Sequence, residues 1–379
     1  MTEEQVRVPK LRFPGFAVAW EQRKLGDVAE FLNGRAYKQD ELLNSGKYPV
    51  LRVGNFNTND KWYYSDLELP EKNYADKGDL LYTWATAFGP HIWPGPRVIY
   101  HYHIWKVALS KSLDRYFIIQ LLDADQAQMT NNLNGSTMVH ITKQTMENKD
   151  IIYPAMPEQR RIGAFFASLD DLIALHQRKL SHLGLLKKGL LQKMFPKPGE
   201  AYPEIRFPGF TDAWEQRKLG DEAEILAGGD IDRTKLDVNG KYPVIANALT
   251  GDGIVGYYDD EYRIKAPAVT VTGRGDVGRA QVRTVDFTPV VRLLSVKSIH
   301  DVYFLENAIN NHKVLVESTG VPQLTAPQLA NYTIWSASLE EEAKSGAFFK
   351  NMNGLIALHQ RKLSHLQQQK KALLQQMFV

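Results

Sequence analysis

Two stretches of the chain carry apolar residues at spacings of three and four, the pattern of a long helix with one buried stripe. The first stripe comprises Ile162, Phe165, Phe166, Leu169, Leu172, Ile173, His176, Leu180, Leu183, Leu186, Leu190 and Met194. The second comprises Phe348, Phe349, Met352, Leu355, Ile356, His359, Leu363, Leu366, Leu373 and Met377. A seam sustained over about five heptads is typical of a coiled coil, so we expect the two helices to pair in antiparallel fashion.

The seam of this pair is expected to consist of matching positions in the two helices. These are Phe166, Leu169, Ile173, His176, Leu180, Leu183, Phe349, Met352, Ile356, His359, Leu363 and Leu366. His176 and His359 lie on the apolar stripes, which favours a hydrogen bond across the pair over ligand binding. Pro157 suits the first turn of one helix, while Ser338 and Glu341 have capping-box spacing at the start of the other.

The segments before these helices have short alternating or β-branched runs that predict strands. The runs cover residues 48–53, 79–84, 96–109, 268–273 and 290–296. Arg115 to Gln128 and Asp301 to Asn311 are predicted as short helices. The pattern therefore indicates a mixed α/β (α+β) fold with two globular domains and two long helices.

The same scaffold occurs twice. Residues 12–30 read RFPGFAVAWEQRKLGDVAE and residues 206–224 read RFPGFTDAWEQRKLGDEAE, while 172–183 and 355–366 both read LIALHQRKLSHL. The interiors between these frames barely resemble each other. We therefore expect a pseudo-two-fold tandem repeat with globular domains at 1–156 and 205–337, helical regions at 157–195 and 338–379, and a linker at 196–204.

Composition narrows the functional classes only slightly. The 379 residues include 46 Lys and Arg against 43 Asp and Glu, a net charge of +3, so a nucleic-acid surface would have to be a local patch. The chain has no cysteine, which excludes disulfides and thiolate chemistry and is usual in a reducing compartment. No signal-peptide or membrane-spanning pattern is present, so we expect a cytoplasmic protein.

Catalytic motifs are missing from the sequence or lie in the wrong context. There is no Asn-Pro-Pro-aromatic motif for adenine methylation, and the Gly-Lys pairs at 46–47 and 240–241 lack the rest of a P-loop. Gly273, Gly275 and Gly278 spell a dinucleotide fingerprint, but β-branched residues follow where a helix should open. A strand-to-strand turn flanked by Arg274 and Arg279 fits better. His91, His101 and His103 could form a metal cluster, but their aromatic surroundings favour stacking, and no metal is expected.

These features together resemble the specificity subunit of type I restriction-modification systems, over essentially the whole chain. The resemblance is carried by WEQRKLGD at the start of each repeat, by PAMPEQRRIGAFFASLDDLIALHQRKLSHL at 154–183 and by SLEEEAKSGAFFKNMNGLIALHQRKLSHL at 338–366. One departure is the helix start Pro157, Glu158 and Gln159, which we aligned with Leu339, Glu340 and Glu341.

The resemblance implies a noncatalytic DNA-recognition subunit. Each variable domain would read one half of a bipartite, asymmetric site in double-stranded DNA, and the helices would set the spacer. Two modification subunits with adenine-N6 methyltransferase activity would dock on the helical regions, and restriction subunits, the ATP-dependent translocase and nuclease, would complete the complex. S-adenosylmethionine, ATP and Mg would bind those partners and not this chain.

Groove edges are read by side chains with paired donors and acceptors on protruding loops. The candidates in the first domain are Arg35, Tyr37, Lys38, Arg52, Asn55, Asn57, Trp84, Thr86, His91, Ser136, Thr137, His140 and Lys143. Those in the second are Arg233, Lys235, Asn247, Arg274, Arg279, Ser318, Thr319, Gln323 and Thr325. Each could equally be a solvated loop residue.

Two functions of other classes stay open at this stage. A coiled-coil scaffold with two protein- or glycan-binding modules would fit the aromatic content. A nucleotide-dependent enzyme would use the Gly273 loop.

Overall fold

The computed structural model describes residues 8–56, 59–85, 88–132 (127–132 as backbone), 141–248, 250–312 and 322–378. The chain divides into two compact units. Unit 1 consists of 1–176 with 362–379, and unit 2 consists of 177–361.

Unit 1 is built around antiparallel sheets. Its strands are β1 (Glu21–Lys24), β2 (Ala29–Asn33), β3 (Tyr48–Leu51), β4 (Tyr63–Ser65), β5 (Tyr74–Ala75), β6 (Leu80–Thr83), β7 (Gly89–Ile92), β8 (Val98–Tyr100), β9 (Ile104–Leu109) and β10 (Asp150–Tyr153). They form sheets of order β2-β9-β6-β7 and β4-β3-β8-β5 and the ribbon β1-β10. Only β3 and β8 pair in parallel among these described strands.

Unit 2 repeats this plan. Its strands are β11 (Glu215–Lys218), β12 (Ala223–Ala227), β13 (Tyr242–Ile245), β14 (Ile254–Tyr258), β15 (Ala268–Thr272), β16 (Ala280–Arg283), β17 (Thr288–Pro289), β18 (Leu293–Ser298) and β19 (Thr333–Ser336). The sheets have the order β12-β18-β15-β16 and β14-β13-β17, with the ribbon β11-β19. The sheet β12-β18-β15-β16 has the same register as β2-β9-β6-β7 of unit 1. Val269 pairs with Val282 at the position where Leu80 pairs with Ile92.

The helices have equivalent places in the two units. They are α1 (Leu25–Val28), α2 (Arg115–Asn132), α3 (Lys143–Glu147), α4 (Met156–Met194), α5 (Leu219–Glu222), α6 (Val302–Asn310), α7 (Ala326–Ala330) and α8 (Leu339–Met377). Both long helices have 39 residues, and the expected short helices are α2 and α6. Among the described residues no helix is both long and apolar enough to cross a bilayer.

The core of unit 1 joins the sheet to both long helices. Trp20 is fully buried against Phe117, with ring centroids 6.0 Å apart, and Phe378 packs on Phe117 and on Phe166 at 5.5 and 6.0 Å. Lys370 Nζ lies 2.7 Å from Asp170 Oδ1 one turn further along. Residue 166 of α4 thus contacts residue 378, just after α8, while residue 170 of α4 contacts residue 370 of α8. Because the numbers rise in one helix as they fall in the other, the two helices are antiparallel in this unit.

The core of unit 2 uses the opposite ends of the same helices. Phe195 stacks on Phe304 at 5.3 Å, and Trp214 packs edge-on against both rings. Phe349 and Met352 of α8 are buried in the same cluster, and Leu190 and Leu191 of α4 pack against it. Both units thus confirm the long-helix prediction, and their fold fits the expected antiparallel coiled coil.

An arginine near the start of each unit anchors a long helix. In unit 1, Arg12 donates to both carboxylate oxygens of Glu158 at 2.6 and 2.7 Å. In unit 2, Arg206 makes the same pair with Glu341 at 2.7 Å twice. Glu158 therefore corresponds to Glu341, and our alignment of Glu158 with Glu340 was wrong by one residue. The two helix starts share this contact.

Two of the expected strands are divided or shortened. The run 96–109 splits into β8 and β9, which belong to different sheets, because the chain turns at 101–103 and Ile104 N donates to His101 O. The run 290–296 becomes a strand only at Leu293, because Arg292 has a φ of 77° that interrupts the extended backbone. Hydrophobic pattern alone does not reveal either turn.

Candidate nucleic-acid interface

Seven candidate residues lie outside the described residues. They are Asn57, Thr86, Ser136, Thr137, His140, Ser318 and Thr319. The other candidates can be sorted by whether their polar groups already bind within the protein.

In unit 1, Arg35 is held by a carboxylate. Its guanidinium donates to both oxygens of Glu41 at 2.7 and 2.9 Å, and this pair lowers the pKa of Glu41. The hydroxyl of Tyr37 donates to Tyr100 O at 3.4 Å, and burial raises its pKa above the usual value for tyrosine. Lys38 is exposed next to them at the start of a short 3-10 turn.

Asn55 closes the turn that leads toward 57–58. Its Oδ1 accepts from Arg52 N at 3.1 Å, and its Nδ2 donates to Asn59 O and Lys61 O. Arg52 lies over the ring of Tyr63 at 4.3 Å and donates to Lys61 O. With its amide used in this way, Asn55 shapes the loop in this structure and leaves little to offer a base.

Trp84 and His91 belong to an aromatic surface. Trp84 stacks on Trp105 at 5.7 Å and donates from Nε1 to Tyr102 O at 2.9 Å. His91 stacks on Phe56 at 4.2 Å, and its Nε2 lies 3.2 Å from Thr83 Oγ1. Burial lowers the pKa of His91 to about 4, so this ring is neutral near pH 7.

His101 and His103 lie with their ring centroids 4.9 Å apart in the turn between β8 and β9. Within the described ranges no three His, Cys, Asp or Glu side chains are grouped as a metal site. The last unit 1 candidate, Lys143, pairs with Glu147 one helical turn on, at 3.4 Å.

In unit 2 the Gly273 loop joins β15 to β16, as the strand-to-strand prediction required, and it opens no helix. Thr272 Oγ1 accepts from Arg279 N at 3.0 Å, and Gly278 N donates to Thr272 O at 2.8 Å. Gly275 and Gly278 have φ values of 77° and 82°, which L side chains rarely adopt. The dinucleotide interpretation is therefore wrong.

Asn247 holds this loop in place. Its Oδ1 accepts from Gly273 N at 2.7 Å and from Arg274 N at 3.3 Å, and its Nδ2 donates to Arg274 O at 2.6 Å. Its Oδ1 and one of its two N–H groups are used within the protein. Asn247 thus positions Arg274 instead of presenting its own side chain.

The remaining unit 2 candidates differ in whether their polar groups have partners within the protein. Lys235 pairs with Glu261 at 3.1 Å, Gln323 bridges to Arg274 through the backbone, and Thr325 caps α7 by accepting from Gln328 N. The exposed guanidinium groups of Arg233, Arg274 and Arg279 have no hydrogen-bond or carboxylate partner among the residues that the structure describes. These three are the cations most available to a phosphate or a base edge.

Sequence reasoning missed a polar row on the ribbon beside this loop. Thr270, Gln281 and Arg283 lie on the face of β15 and β16 opposite to the core cluster of Val269, Val271 and Val282, a face that also carries the buried Ala268 and Leu293. The strict alternation in Ala280–Arg283 was the available signal.

The helix-pair candidates differ in burial, and their pairing across the two helices stays a prediction. Buried members are Phe166, Leu169, Phe349, Met352 and Leu363, and half-buried members are Ile173, His176, Leu180, Leu183, Ile356, His359 and Leu366. Whether the two histidines bond to each other stays a prediction.

The duplicated frame, the equivalent sheets β2-β9-β6-β7 and β12-β18-β15-β16 and the long antiparallel helices define a class of two-domain recognition proteins. The chain belongs to the family of type I restriction modification DNA specificity domains, whose model matches residues 17–184 and 211–368. Its role is accordingly DNA recognition within a restriction-modification system and not catalysis.

Similar proteins support this assignment. The specificity subunit of the type I restriction enzyme MjaVIII of Methanocaldococcus jannaschii is 22% identical, over 94% of this chain and 91% of its own. S.MpnORF507P of Mycoplasma pneumoniae, named as a type I specificity subunit, is 25% identical over 86% of each chain. The crystal structure of a type I S subunit from M. genitalium has the same fold, with a TM-score of 0.72, 15% identity and coverage of 98% of this chain and 99% of that one.

Proposed function

We propose that unit 1 and unit 2 each read one half of a bipartite, asymmetric site in double-stranded DNA, through chemically different surfaces on the same scaffold. The observation that carries this proposal is the contrast at equivalent strand positions. His91 faces Leu81 in unit 1, whereas Gln281 faces Thr270 in unit 2. Direct readout depends on such donor and acceptor patterns, so surfaces that differ in this way select different base pairs.

The partners are two modification subunits, each docked on one repeat. Support comes from an apolar stripe that occurs twice with the same residue types. In unit 1, Phe13 packs edge-on against Phe165 at 5.7 Å, and Leu172 and Leu175 continue along the same helix with 45% and 38% of their surface exposed. The equivalent residues of unit 2 are Phe207, Phe348, Leu355 and Leu358, the two leucines 48% and 39% exposed.

Exposed leucines at equivalent sites in both repeats have no packing reason within their own unit. Contiguous exposed apolar surface often marks a protein interface. Two copies of one surface fit two copies of one partner, which is the composition we propose.

The chemistry then resides on the partners. S-adenosylmethionine and the adenine-N6 methyl transfer belong to the modification subunits, and ATP, Mg and cleavage belong to restriction subunits in the full complex. Flipping the target adenine out of the stack is also the partner's task. The complex acts in the cytoplasm.

The test is to express the chain with its modification subunits and map methylated adenines across a genome. We expect one bipartite motif, and replacement of residues 33–150 by the equivalent domain of another specificity subunit should change one half only. A change in both halves would contradict the two-reader proposal. The purified chain alone should transfer no methyl group.

The docking surface is tested with Leu172→Asp and Leu355→Asp. Each should remove one modification subunit from the complex, and the double variant should remove both, as measured by native mass spectrometry. Ser364→Asp is the matched control, because nine residues at 100° each place it roughly opposite Leu355 on the helix. Full assembly of the double variant would contradict this surface.

A further inference from the structure

We propose that Arg283, with Gln281 on the same strand and Arg279 just before it, is the specificity-determining group of unit 2 and reads guanine in its half-site. This inference rests on the proposed function of unit 2 as a DNA reader. Arg283 and Gln281 are absent from the loop candidates that the sequence suggested.

The row lies on the β15–β16 hairpin at the edge of a four-stranded sheet. β16 is the edge strand of the sheet β12-β18-β15-β16, and it pairs with β15 through residues 268–271 and 280–283. All five residues of β15 are buried, so a groove edge would reach the row from the side of β16, where Gln281 and Arg283 are half-buried. Alternate residues on one face are about 6.6 Å apart, close to the rise of two base pairs.

The guanidinium group of Arg283 is fixed in orientation. Its Nε donates to Thr270 Oγ1 at 3.0 Å, and its Nη2 donates to Gln281 Oε1 at 3.1 Å, which leaves both N–H groups of Nη1 and the second N–H of Nη2 without a partner among the described residues. No carboxylate lies within ion-pair distance among the described residues, and burial lowers the pKa of this arginine. Asp252 and Glu306 offset this effect in part without forming an ion pair with Arg283, and a ligand with acceptor atoms would offset more of the cost of burying the cation.

The neighbourhood favours a base edge over a phosphate. The row borders a cleft of about 10 Å³ lined by Ala246, Ala248 and Thr272, which has room for about one water molecule, so a base edge would contact the row from outside this cleft. Asp252 lies at the same place and accepts from Gln281 Nε2 at 3.0 Å. A carboxylate would repel a phosphate, whereas a base pair offers both acceptors and donors.

Arginine is suited to guanine in particular. Its two parallel N–H groups match O6 and N7 of guanine in the major groove, and such a pair discriminates by about 1–3 kcal/mol, or roughly 10- to 100-fold. The strand pair Val269–Val282 of unit 2 corresponds to Leu80–Ile92 of unit 1. The residue after Val282 is Arg283, and the residue after Ile92 is Trp93. Unit 1 therefore lacks this guanine reader.

The experiment uses the assembled complex of this chain with its modification subunits. Arg283→Lys keeps the charge and removes the planar fork, and Arg217→Lys on the exposed ribbon β11 is the matched control. Methylated motifs are mapped for both variants and the wild type. We expect the Arg283→Lys complex to accept other bases at one guanine of the unit 2 half-site, while the unit 1 half and the control motif stay unchanged.

A change made in the DNA keeps the test independent of folding. Replacing that guanine by 7-deazaguanine removes N7, and we expect wild-type binding to weaken about 10-fold or more, with no further loss for Arg283→Lys. A unit 2 half-site without a G·C pair, an unchanged motif in Arg283→Lys, or equal binding to the 7-deazaguanine duplex would overturn the inference. If the wild-type complex methylates no specific motif at all, it is the proposed function that fails.

Discussion

The two units share one anchor for the long helix but stabilise its surroundings in opposite ways. Beside the Arg206–Glu341 pair, unit 2 has the charged or titratable groups Glu222, His300 and Glu342, of which His300 and Glu342 are buried and Glu222 is half-buried. At the equivalent positions beside Arg12–Glu158, unit 1 has Val28, Leu113 and Gln159. The repeat therefore provides an internal comparison between a polar and an apolar solution to one packing problem.

In unit 2 the imidazole of His300 bridges two carboxylates. Nδ1 lies 2.7 Å from Glu342 Oε2 and Nε2 lies 3.2 Å from Glu222 Oε2, while Arg217 contacts the other oxygen of Glu222 at 2.8 Å. Glu342 also accepts from Ser336 Oγ and Ala337 N. The hydrogen bond to Glu342, more than any other contact, raises the pKa of His300, and Arg217 lowers the pKa of Glu222.

In unit 1 a neutral amide takes the place of Glu342. Gln159 donates from Nε2 to Ser112 O and Pro154 O, both at 2.8 Å, and its Oε1 accepts from Asp114 N at 2.8 Å. Three neutral hydrogen bonds satisfy this side chain, which is 1% exposed. The comparison teaches that the scaffold needs satisfied polar groups at the helix start but does not need charge beyond the Arg–Glu pair.

The largest expected loss of stability comes from breaking the Arg–Glu ion pair that both units share. Glu341→Gln leaves Arg206, whose side chain is 15% exposed, without its counter-charge, and should lower the free energy of unfolding by about 3–5 kcal/mol. Denaturation in guanidinium chloride measures this. Glu340→Gln is the control, since Glu340 is exposed and pairs only with Lys344.

Glu158→Gln should cost less than Glu341→Gln, by about 1 kcal/mol. The reason is that Trp214 Nε1 donates to Glu341 at 3.1 Å, whereas Trp20 Nε1 has no hydrogen-bond partner among the residues that the structure describes. Equal losses from Glu340→Gln and Glu341→Gln would contradict the role assigned to the pair.

Removing the titratable centre of unit 2 should make stability respond differently to pH. His300→Gln should cost about 1.5–3 kcal/mol near pH 6, where the histidine is charged between two carboxylates. Because the folded pKa of His300 is raised, its contribution is complete below the unfolded value of about 6.5 and is lost as the pH rises through the folded value.

The lowered pKa of Glu222 affects stability at acidic pH. Its contribution to the free energy of unfolding is present above about pH 4.3 and is lost as the pH falls through the pKa of the folded state. The gap between wild type and His300→Gln is therefore expected to be widest between about pH 4.3 and 6.5 and to narrow toward pH 9. Urea denaturation at several pH values measures it. A gap that stays constant with pH would show that His300 does not titrate in this range.

Converting unit 2 to the unit 1 solution sharpens the comparison. The triple variant Glu222→Val, His300→Leu, Glu342→Gln should be as stable as the wild type or about 1 kcal/mol more stable, because well-packed apolar groups often replace buried charges without loss. It should also lose the pH dependence described for His300. A triple variant less stable than His300→Gln would mean that the charges hold the fold together.

The scaffold could be predicted from the sequence because duplication and periodicity both leave strong signals. The long stripes and the repeated frames gave the helices, and the turn at Gly273 followed from the β-branched residues after it. The chemical roles of loop residues could not be predicted, because they depend on partners far away in the chain. Asn247 illustrates this, since its amide binds Gly273 and Arg274, 26 and 27 residues on.

The buried centre of unit 2 was also invisible in the sequence. His300 follows a strand and precedes the α6 cap Asp301, and nothing in that stretch announces Glu222 or Glu342 as neighbours. The one-residue error at the helix start came from aligning similar letters instead of the 183-residue offset that holds for the rest of the helix. A glutamate run offers three plausible partners, and only the geometry of Arg206 selects Glu341.

The smallest expected effect concerns how each long helix begins. Ser338 Oγ accepts from Glu341 N at 3.3 Å, whereas the equivalent position in unit 1 is Ala155, which has no side-chain acceptor. Ser338→Ala should cost about 0.5–1 kcal/mol, and Ala155→Ser should gain a smaller amount because Pro157 already presets the first turn. Thermal unfolding monitored by circular dichroism measures both. Because Ser338 and Arg206, both described residues, share no hydrogen bond, the losses in stability from Ser338→Ala and Glu340→Gln should add. If Ser338→Ala alone lowered the free energy of unfolding as much as Glu341→Gln does, the cap and the ion pair would act as one unit.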